Sequence, residues 1–252
     1  MNQIDSFFKP LKLEHPVSEA DYQRIKPYIE ALSGFSRIAN ASIYVIDYYT
    51  KNFVYISSNP LFLCGYDIEE VKKLGYDFYA KVVSPEDLSM LLEINEKGFE
   101  YFYSQEPNNR GSLLISYDFN IHHKNGRKFM VNHKLTPFAL TSDGDMWLSL
   151  CLVTLSIQEK SGNAYIQQLN SLNRLEYSFN LKRWKEMPAI RFTEREKEVL
   201  QLLAQGYTVQ EIADKLFVEM TTIKYHKGNI LNKLKVNNIM EAVYFASVNH
   251  LI

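Results

Sequence analysis

FTEREKEVLQLLAQGYTVQEIADKLFVEMTTIKYHKGNILNKLKV, residues 192–236, reads as three helical segments separated by short breaks. Thr193 followed by Glu196 is a capping box, and Glu194, Glu196 and Glu198 complement the positive end of the helix they open. Val199, Leu200, Leu202 and Leu203 give that helix an apolar face, and Gly206 ends it. Thr208 with Glu211 starts a second, shorter helix whose Ile212, Ala213 and Leu216 face inward. After Phe217-Val218-Glu219 a third helix turns Ile223, Ile230, Leu231 and Leu234 inward. Thr221, Lys224, Tyr225, Lys227, Gly228 and Asn232 are left outside. Between Met220 and Met240 stand four lysines (Lys224, Lys227, Lys233, Lys235) and His226, with no Asp or Glu. A short helix with a cationic outer face, held over two others, has the dimensions of a DNA major groove.

The run Thr193-x-Arg195-Glu196-x-Glu198-Val199-Leu200, Gly206-Tyr207-Thr208, Glu211-Ile212-Ala213, Leu216, Thr222-Ile223-Lys224-x-His226, Asn229-Ile230-Leu231-x-Lys233-Leu234 is similar to the LuxR-type helix-turn-helix. The chain departs from that pattern at Glu219, where the family has Ser, and at Lys235, where it has Gly. The resemblance implies an all-α, four-helix domain over residues 191–252 that binds double-stranded DNA. Lys224, Tyr225 and Gly228 then sit where base edges are approached. Thr208, Thr221, Thr222, Lys227 and Lys233 lie where phosphates are expected. His226 is either a phosphate donor or a partner of a neighbouring carbonyl. The last helix starts at Asn238, with Glu241 as capping partner, and packs through Ile239, Ala242, Val243 and Ala246. Met240, Tyr244 and Val248 form a second stripe, which in the family is a dimer contact and otherwise would cover the connector. A homodimer predicts an inverted-repeat DNA site.

The rest of the chain advertises no attraction to phosphate: 28 Lys and Arg face 29 Asp and Glu, for a net charge of −1. DNA binding must therefore come from local asymmetry. Hydrophobic content of 46% and charged content of 23% are those of a globular protein. Two cysteines, Cys64 and Cys151, fit neither a metal spacing nor a disulfide scaffold. MNQIDSFFKP lacks the basic start and apolar core of a secretory signal, and the run from Met146 to Ile157 is too short to cross a bilayer. The expectation is a cytoplasmic protein with no membrane partner.

Residues 1–41 form a helical extension. Ser18 with Asp21 caps a stripe of Tyr22, Ile25, Ile29 and Leu32 that stops near Gly34, with a kink or split expected at Pro27. This stripe packs on the next domain or on a second copy. From Ser42 the period becomes two. Ser42–Tyr48 and Phe53–Ser57 are strands joined by Tyr49-Thr50-Lys51-Asn52. Short helices follow near Leu61–Cys64 and from Asp67, with Glu70 completing a box. A long helix is then opened by Ser84-Pro85-Glu86-Asp87 and lined by Leu88, Leu91, Leu92, Phe99 and Phe102. Leu113, Ile115, Tyr117, Phe119 and Ile121 alternate with a mostly wet face that includes Ser116 and Asp118. Beyond the Asn125-Gly126 turn, Phe129, Val131, His133 and Leu135 share a face, and Ser142–Asp145 turns into Met146–Ile157.

Two strands, short helices, then three strands is an order that resembles a PAS sensor over residues 42–158. Gly65-Tyr66-x-x-Glu69-Glu70-Val71, Ser84–Leu88 and His123–Arg127 carry the resemblance. The fold class expected is α+β, a PAS-like antiparallel sheet with short helices followed by the four-helix domain. Residues 159–190 are a structured connector, in which Leu175, Tyr177, Phe179 and Leu181 alternate as a strand pairing with Ala164–Leu169 across Asn170–Asn173, and Trp184 is a candidate anchor. Tyr44, Tyr117, His133 and Cys151 are the candidate ligand pocket; His133 is either a ligand to a metal or haem, or a hydrogen-bonded core residue. No residue names a cofactor, and no nucleophile, base or metal constellation marks an enzyme. The sensor domain either takes a small-molecule signal or is an interaction module for a protein that carries it.

Overall fold

The computed structural model describes residues 3–12, 16–169, 174–187, 190–234, 236–248 and 251. The expected turn at Asn170–Asn173 and the departure at Lys235 lie outside them. Two compact units emerge, Met1–Met187 and Pro188–Ile252.

The first unit opens with a 3₁₀ turn, Gln3–Phe8, and the helix α1 (Glu19–Ile38), followed by strands β1 (Ser42–Asp47) and β2 (Asn52–Ile56). Helices α2 (Pro60–Leu63), α3 (Ile68–Leu74), α4 (Asp77–Val82), α5 (Pro85–Ser104) and α6 (Pro107–Arg110) come next. Strands β3 (Leu113–His122), β4 (Lys128–Leu140), β5 (Met146–Leu155), β6 (Gly162–Gln168), β7 (Arg174–Ser178) and β8 (Arg183–Met187) complete the unit. The described strands form one sheet in the order β2-β1-β5-β4-β3-β6-β7-β8. Its first five members, with helices between β2 and β3, have the PAS arrangement. Local turn chemistry sets the hairpins: Gly126 at φ +82° and Gly144 at φ +79° occupy conformations that side chains disfavour. The strand β5 then returns to pair with β1, Tyr44 opposite Cys151, and that long-range pairing closes the sheet.

Helices α2 to α5 cover one face of the sheet. Val71, Phe78, Val82, Leu88, Leu91 and Phe99 bury against Tyr44, Phe119, Val131 and Cys151. The helix α1 covers part of the other face, where Tyr22, Ile25, Ile29 and Leu32 pack with Val45, Trp147 and Leu148. The expected kink or split at Pro27 and stop near Gly34 do not occur: α1 is one helix to Ile38. Pro27 and Gln23 are both exposed, so water can take the carbonyl that proline leaves unpaired. Sheet contacts grip the helix on both sides of that point, and Tyr55 Oη donates to Ser36 Oγ (2.7 Å) beyond Gly34.

The face of β3 expected to be wet is also corrected. Ser116 and Asp118 are 0% and 3% exposed. The strand is interior, flanked by β4 and β6, and Asn132 Nδ2 donates to both side chains (3.0 and 3.1 Å). Pairing of Ile166 with Leu175 joins β6 to β7. The sequence did not announce that β6 also pairs with β3, Ile115 opposite Ile166, or that β8 follows, so residues 162–187 continue the sheet.

Candidate nucleic-acid interface and sensor core

The second unit contains α7 (Glu194–Ala204), α8 (Val209–Lys215), α9 (Met220–Leu234) and α10 (Ile239–Val248). Capping boxes form at Thr193–Glu196 and Thr208–Glu211. Gly206, at φ +89°, lets Tyr207 N–H reach back to the Leu202 carbonyl (3.1 Å), the expected stop. An equivalent turn after α8 uses Phe217 at φ +53°, with Val218 N–H donating to the Ala213 carbonyl (3.0 Å). No glycine marks that position, so nothing in the local sequence signals the turn.

Ile223, Ile230 and Leu234 bury one side of α9 against Val199, Leu200, Ile212 and Ala213, with Ala242 and Ala246 of α10 completing the core. That anchoring fixes which way the helix faces. Lys224, Thr221 and Tyr225 are exposed, Tyr225 at 66%, while Thr222, His226, Lys227 and Gly228 are half-buried along the same helix. The His226 ring meets that of Tyr225 edge-on at 5.6 Å. Thr208 is engaged in its cap, accepting from Glu211 N–H (3.3 Å) and donating its hydroxyl to the Glu211 carboxylate (2.8 Å).

Lys233 stands apart from the other expected phosphate contacts. Its Nζ donates to Glu196 Oε2 (2.6 Å) and to the Arg191 carbonyl (3.1 Å), and Glu196 is 3% exposed. Burial pushes the Glu196 carboxyl up, but the Lys233 hydrogen bond and the Thr193 N–H outweigh it and hold the group below the usual carboxylate range. Met240 is 75% exposed on α10 and Tyr244 half-buried. The side chain of Val248 lies outside the described ones.

In the first unit the four candidate pocket residues come together. Tyr44 Oη hydrogen-bonds His133 Nε2 (2.6 Å) and the Tyr79 hydroxyl, Tyr117 pairs in register with His133 across β3 and β4, and Cys151 faces Tyr44 from β5. They form a closed cluster rather than an open one: Tyr44, His133 and Cys151 are at most 1% exposed. A cavity of about 60 Å³ lies beside it, lined by Ile94, Gly98, Phe99, Tyr117, Leu135 and Ile166 among others. Of the four candidates, Tyr117 lines it, and none of its lining residues is charged.

Burial makes the cluster neutral. It drives the Tyr44, Tyr79 and Tyr117 hydroxyls and the Cys151 thiol up, and His133 down to about 3. A histidine whose folded pKa is depressed contributes stability that is complete above its unfolded pKa, about 6.5, and is lost as pH falls toward the folded value. The melting temperature of the first unit should therefore be flat above pH 7 and fall between pH 6 and 4, by less in His133→Gln than in the parent. Equal pH slopes in the two chains would remove His133 from this role. Among the described residues no group of three or more His, Cys, Asp or Glu could hold a metal, and no helix is long and apolar enough to cross a membrane.

The profile of bacterial regulatory proteins of the luxR family matches residues 191–246. Over 66 residues the chain is 42% identical to transcriptional regulatory protein LiaR of Bacillus subtilis, which is 26% of this chain and 31% of that protein. Over 60 residues it is 47% identical to response regulator protein VraR of Staphylococcus aureus, 24% of this chain and 29% of that one. The chain thus spans less than a third of the length of these curated relatives. Among solved structures, VqmA of Vibrio cholerae is similar over 87% of each chain, at 14% identity and a TM-score of 0.33. The PAS domain of a Colwellia psychrerythraea protein is similar over 53% of this chain and 97% of its own, at 15% identity and a TM-score of 0.37.

Proposed function

We propose, from the match of residues 191–246 to the luxR-family profile of bacterial regulatory proteins, that the chain is a cytoplasmic transcription regulator. In this reading it binds double-stranded DNA as a homodimer, and its PAS-like unit, residues 42–158, controls that binding. The observation that carries the reading is α9, whose buried face is anchored by Ile223, Ile230 and Leu234 while Lys224 and Tyr225 project outward. Lys224, Tyr225 and Gly228 read base edges; Thr208, Thr221, Thr222, His226 and Lys227 bind phosphate. Lys233 is assigned to holding the domain together through Glu196. Met240, Tyr244 and Val248 of α10 supply a contact between the two DNA-binding units.

Selection from a random DNA pool by the full chain over a salt series tests this. An inverted repeat with steep weakening by salt supports a dimeric, sequence-specific regulator. Failure of both the full chain and residues 190–252 to bind sinks it.

A partner protein as the carrier of the signal is favoured by one observation: the Tyr44–His133–Cys151 cluster is closed and the cavity beside it is only about 60 Å³. Thermal stabilisation of the chain by a small molecule would favour the ligand reading instead.

Coupling between the units is assigned to the last strands of the sheet. Tyr177 Oη donates to Glu93 (2.8 Å) and Trp184 Nε1 to the Lys97 carbonyl (2.9 Å), so α5, which lines the cavity, is tied to β7 and β8. The chain enters the DNA-binding unit directly after β8. Trp184→Phe keeps an aromatic ring but deletes the indole donor, a loss of about 1 kcal/mol for the hydrogen bond, and should shift the dissociation constant for the selected site by about fivefold. Unchanged affinity would rule out this route.

A further inference from the structure

Among the described residues of the second unit, the large hydrophobic side chains left exposed are Phe217, Met220, Tyr225 and Met240, and the first three cluster at the leading end of α9. Phe217 belongs to the turn before the helix, whereas Met220 is the first helical residue and is 41% exposed. Ile223 is fully buried and sets the rotation of this first turn. Met220 lies one turn before Lys224 and Gly228 one turn beyond it, so the three follow one ridge of the helix. A Cβ added at Gly228 would meet nothing within 4 Å, which leaves the ridge open to close approach there.

Lysines supply this face with its attraction to a polyanion, but a phosphate offers nothing to a thioether. Glu219, next to Met220, is exposed and forms no ion pair among the described residues, so its carboxylate repels the sugar–phosphate backbone. The leading end of α9 is therefore ill-suited to the backbone and better suited to base edges. The apolar feature displayed on base edges in the major groove is the C5-methyl of thymine. We propose that Met220 reads a thymine methyl beside the base pair that Lys224 contacts, a specificity contact additional to Lys224, Tyr225 and Gly228. It rests on the DNA-binding reading of α9. Helical side chains lean toward the N-terminus of their helix, which carries the Met220 thioether ahead of the Lys224 ammonium. Four residues of rise, about 6 Å, correspond to about two base-pair steps, so the thymine lies within about two base pairs of the pair that Lys224 reads. Tyr225 lies about 100° around the helix from Lys224, on the side away from Met220, so a methyl under its ring is a different one.

The test uses the full chain and the DNA site it selects from a random pool. Each thymine of the site is replaced in turn by deoxyuridine, which removes one methyl and leaves every hydrogen-bonding group in place. For the parent chain, uracil at one position of each half-site, within about two base pairs of the position relaxed by Lys224→Ala, is expected to weaken binding about fourfold, the effect of one buried methyl. Met220→Ala is expected to bind the thymine and uracil sites equally and to lose its selection for thymine at that position. Met220→Leu, which keeps an apolar reach, is expected to retain both. No selected thymine within that distance, tolerance of every uracil by the parent, or a penalty undiminished in Met220→Ala would each overturn the proposal. So would an equal weakening of all sequences by Met220→Ala. Met220→Ala binding the selected site as tightly as the parent would overturn it too, and would turn the exposed thioether toward a protein partner instead. A chain that selects no DNA sinks the regulator reading and this contact together, whereas a selected site blind to uracil sinks the contact alone.

Discussion

A Lys224→Ala chain is expected to bind its selected site about 5- to 150-fold more weakly while losing little affinity for random DNA. The range corresponds to the roughly 1–3 kcal/mol of discrimination carried by one good base contact. Position drives this expectation more than charge does. Lys224 follows the buried Ile223 in α9, so its base is fixed by the core while its ammonium is free to reach a groove. Lys227, half-buried on the same helix, is the contrast. If it contacts phosphate, Lys227→Ala weakens specific and random sequences alike and lowers the salt slope by about one. Competition binding at several salt concentrations separates the two. If Lys224→Ala weakened all sequences equally, the residue would be a phosphate anchor and base readout would have to come from elsewhere on α9.

How much could be read from the sequence depended on the distance over which each signal acts. The capping boxes at Ser18–Asp21, Asp67–Glu70, Thr193–Glu196 and Thr208–Glu211 all form, because each is a bargain between a side chain and a backbone three residues away. The helix α4 has no such signal. Its N-cap, Tyr76, offers no side-chain hydrogen bond, and the helix exists because Phe78, Tyr79 and Val82 bury in the core. Alternation put Tyr117 and His133 on apolar faces of β3 and β4, and their in-register pairing brings them together. Alternation could not reveal that β6 would pair with β3 and bury Ser116 and Asp118, which belongs to a contact some fifty residues away. The outward face of α9 followed the same rule. Local pattern marked the outward residues of α9, whereas the partner of Lys233 lies 37 residues back in the chain.

That long-range partner makes Lys233→Met a markedly destabilising change in the second unit. Removing the ammonium leaves the Glu196 carboxylate, 3% exposed, with only its cap to satisfy it. A buried charge stripped of its counterion costs several kcal/mol. The Lys233 side chain is 37% exposed, which moderates the loss to roughly 2 kcal/mol. For a unit of this size that is a fall of roughly 8–16 °C in its unfolding transition, read by calorimetry on the full chain. The pH dependence carries the same signature. A carboxyl whose folded pKa is depressed contributes stability present above its unfolded value and lost as pH falls through the folded one. The parent should therefore lose stability below about pH 4.5, and Lys233→Met should lose less there because less remains to be lost. The effect on DNA distinguishes the two roles open to this lysine. As a strut, its removal at a temperature where the variant stays folded leaves the salt slope unchanged. As a phosphate contact, it lowers the slope by about one and spares the melting temperature. The ion pair with a buried carboxylate favours the first outcome, and would make Glu196–Lys233 the clamp that holds α9 in the orientation from which Lys224 reads.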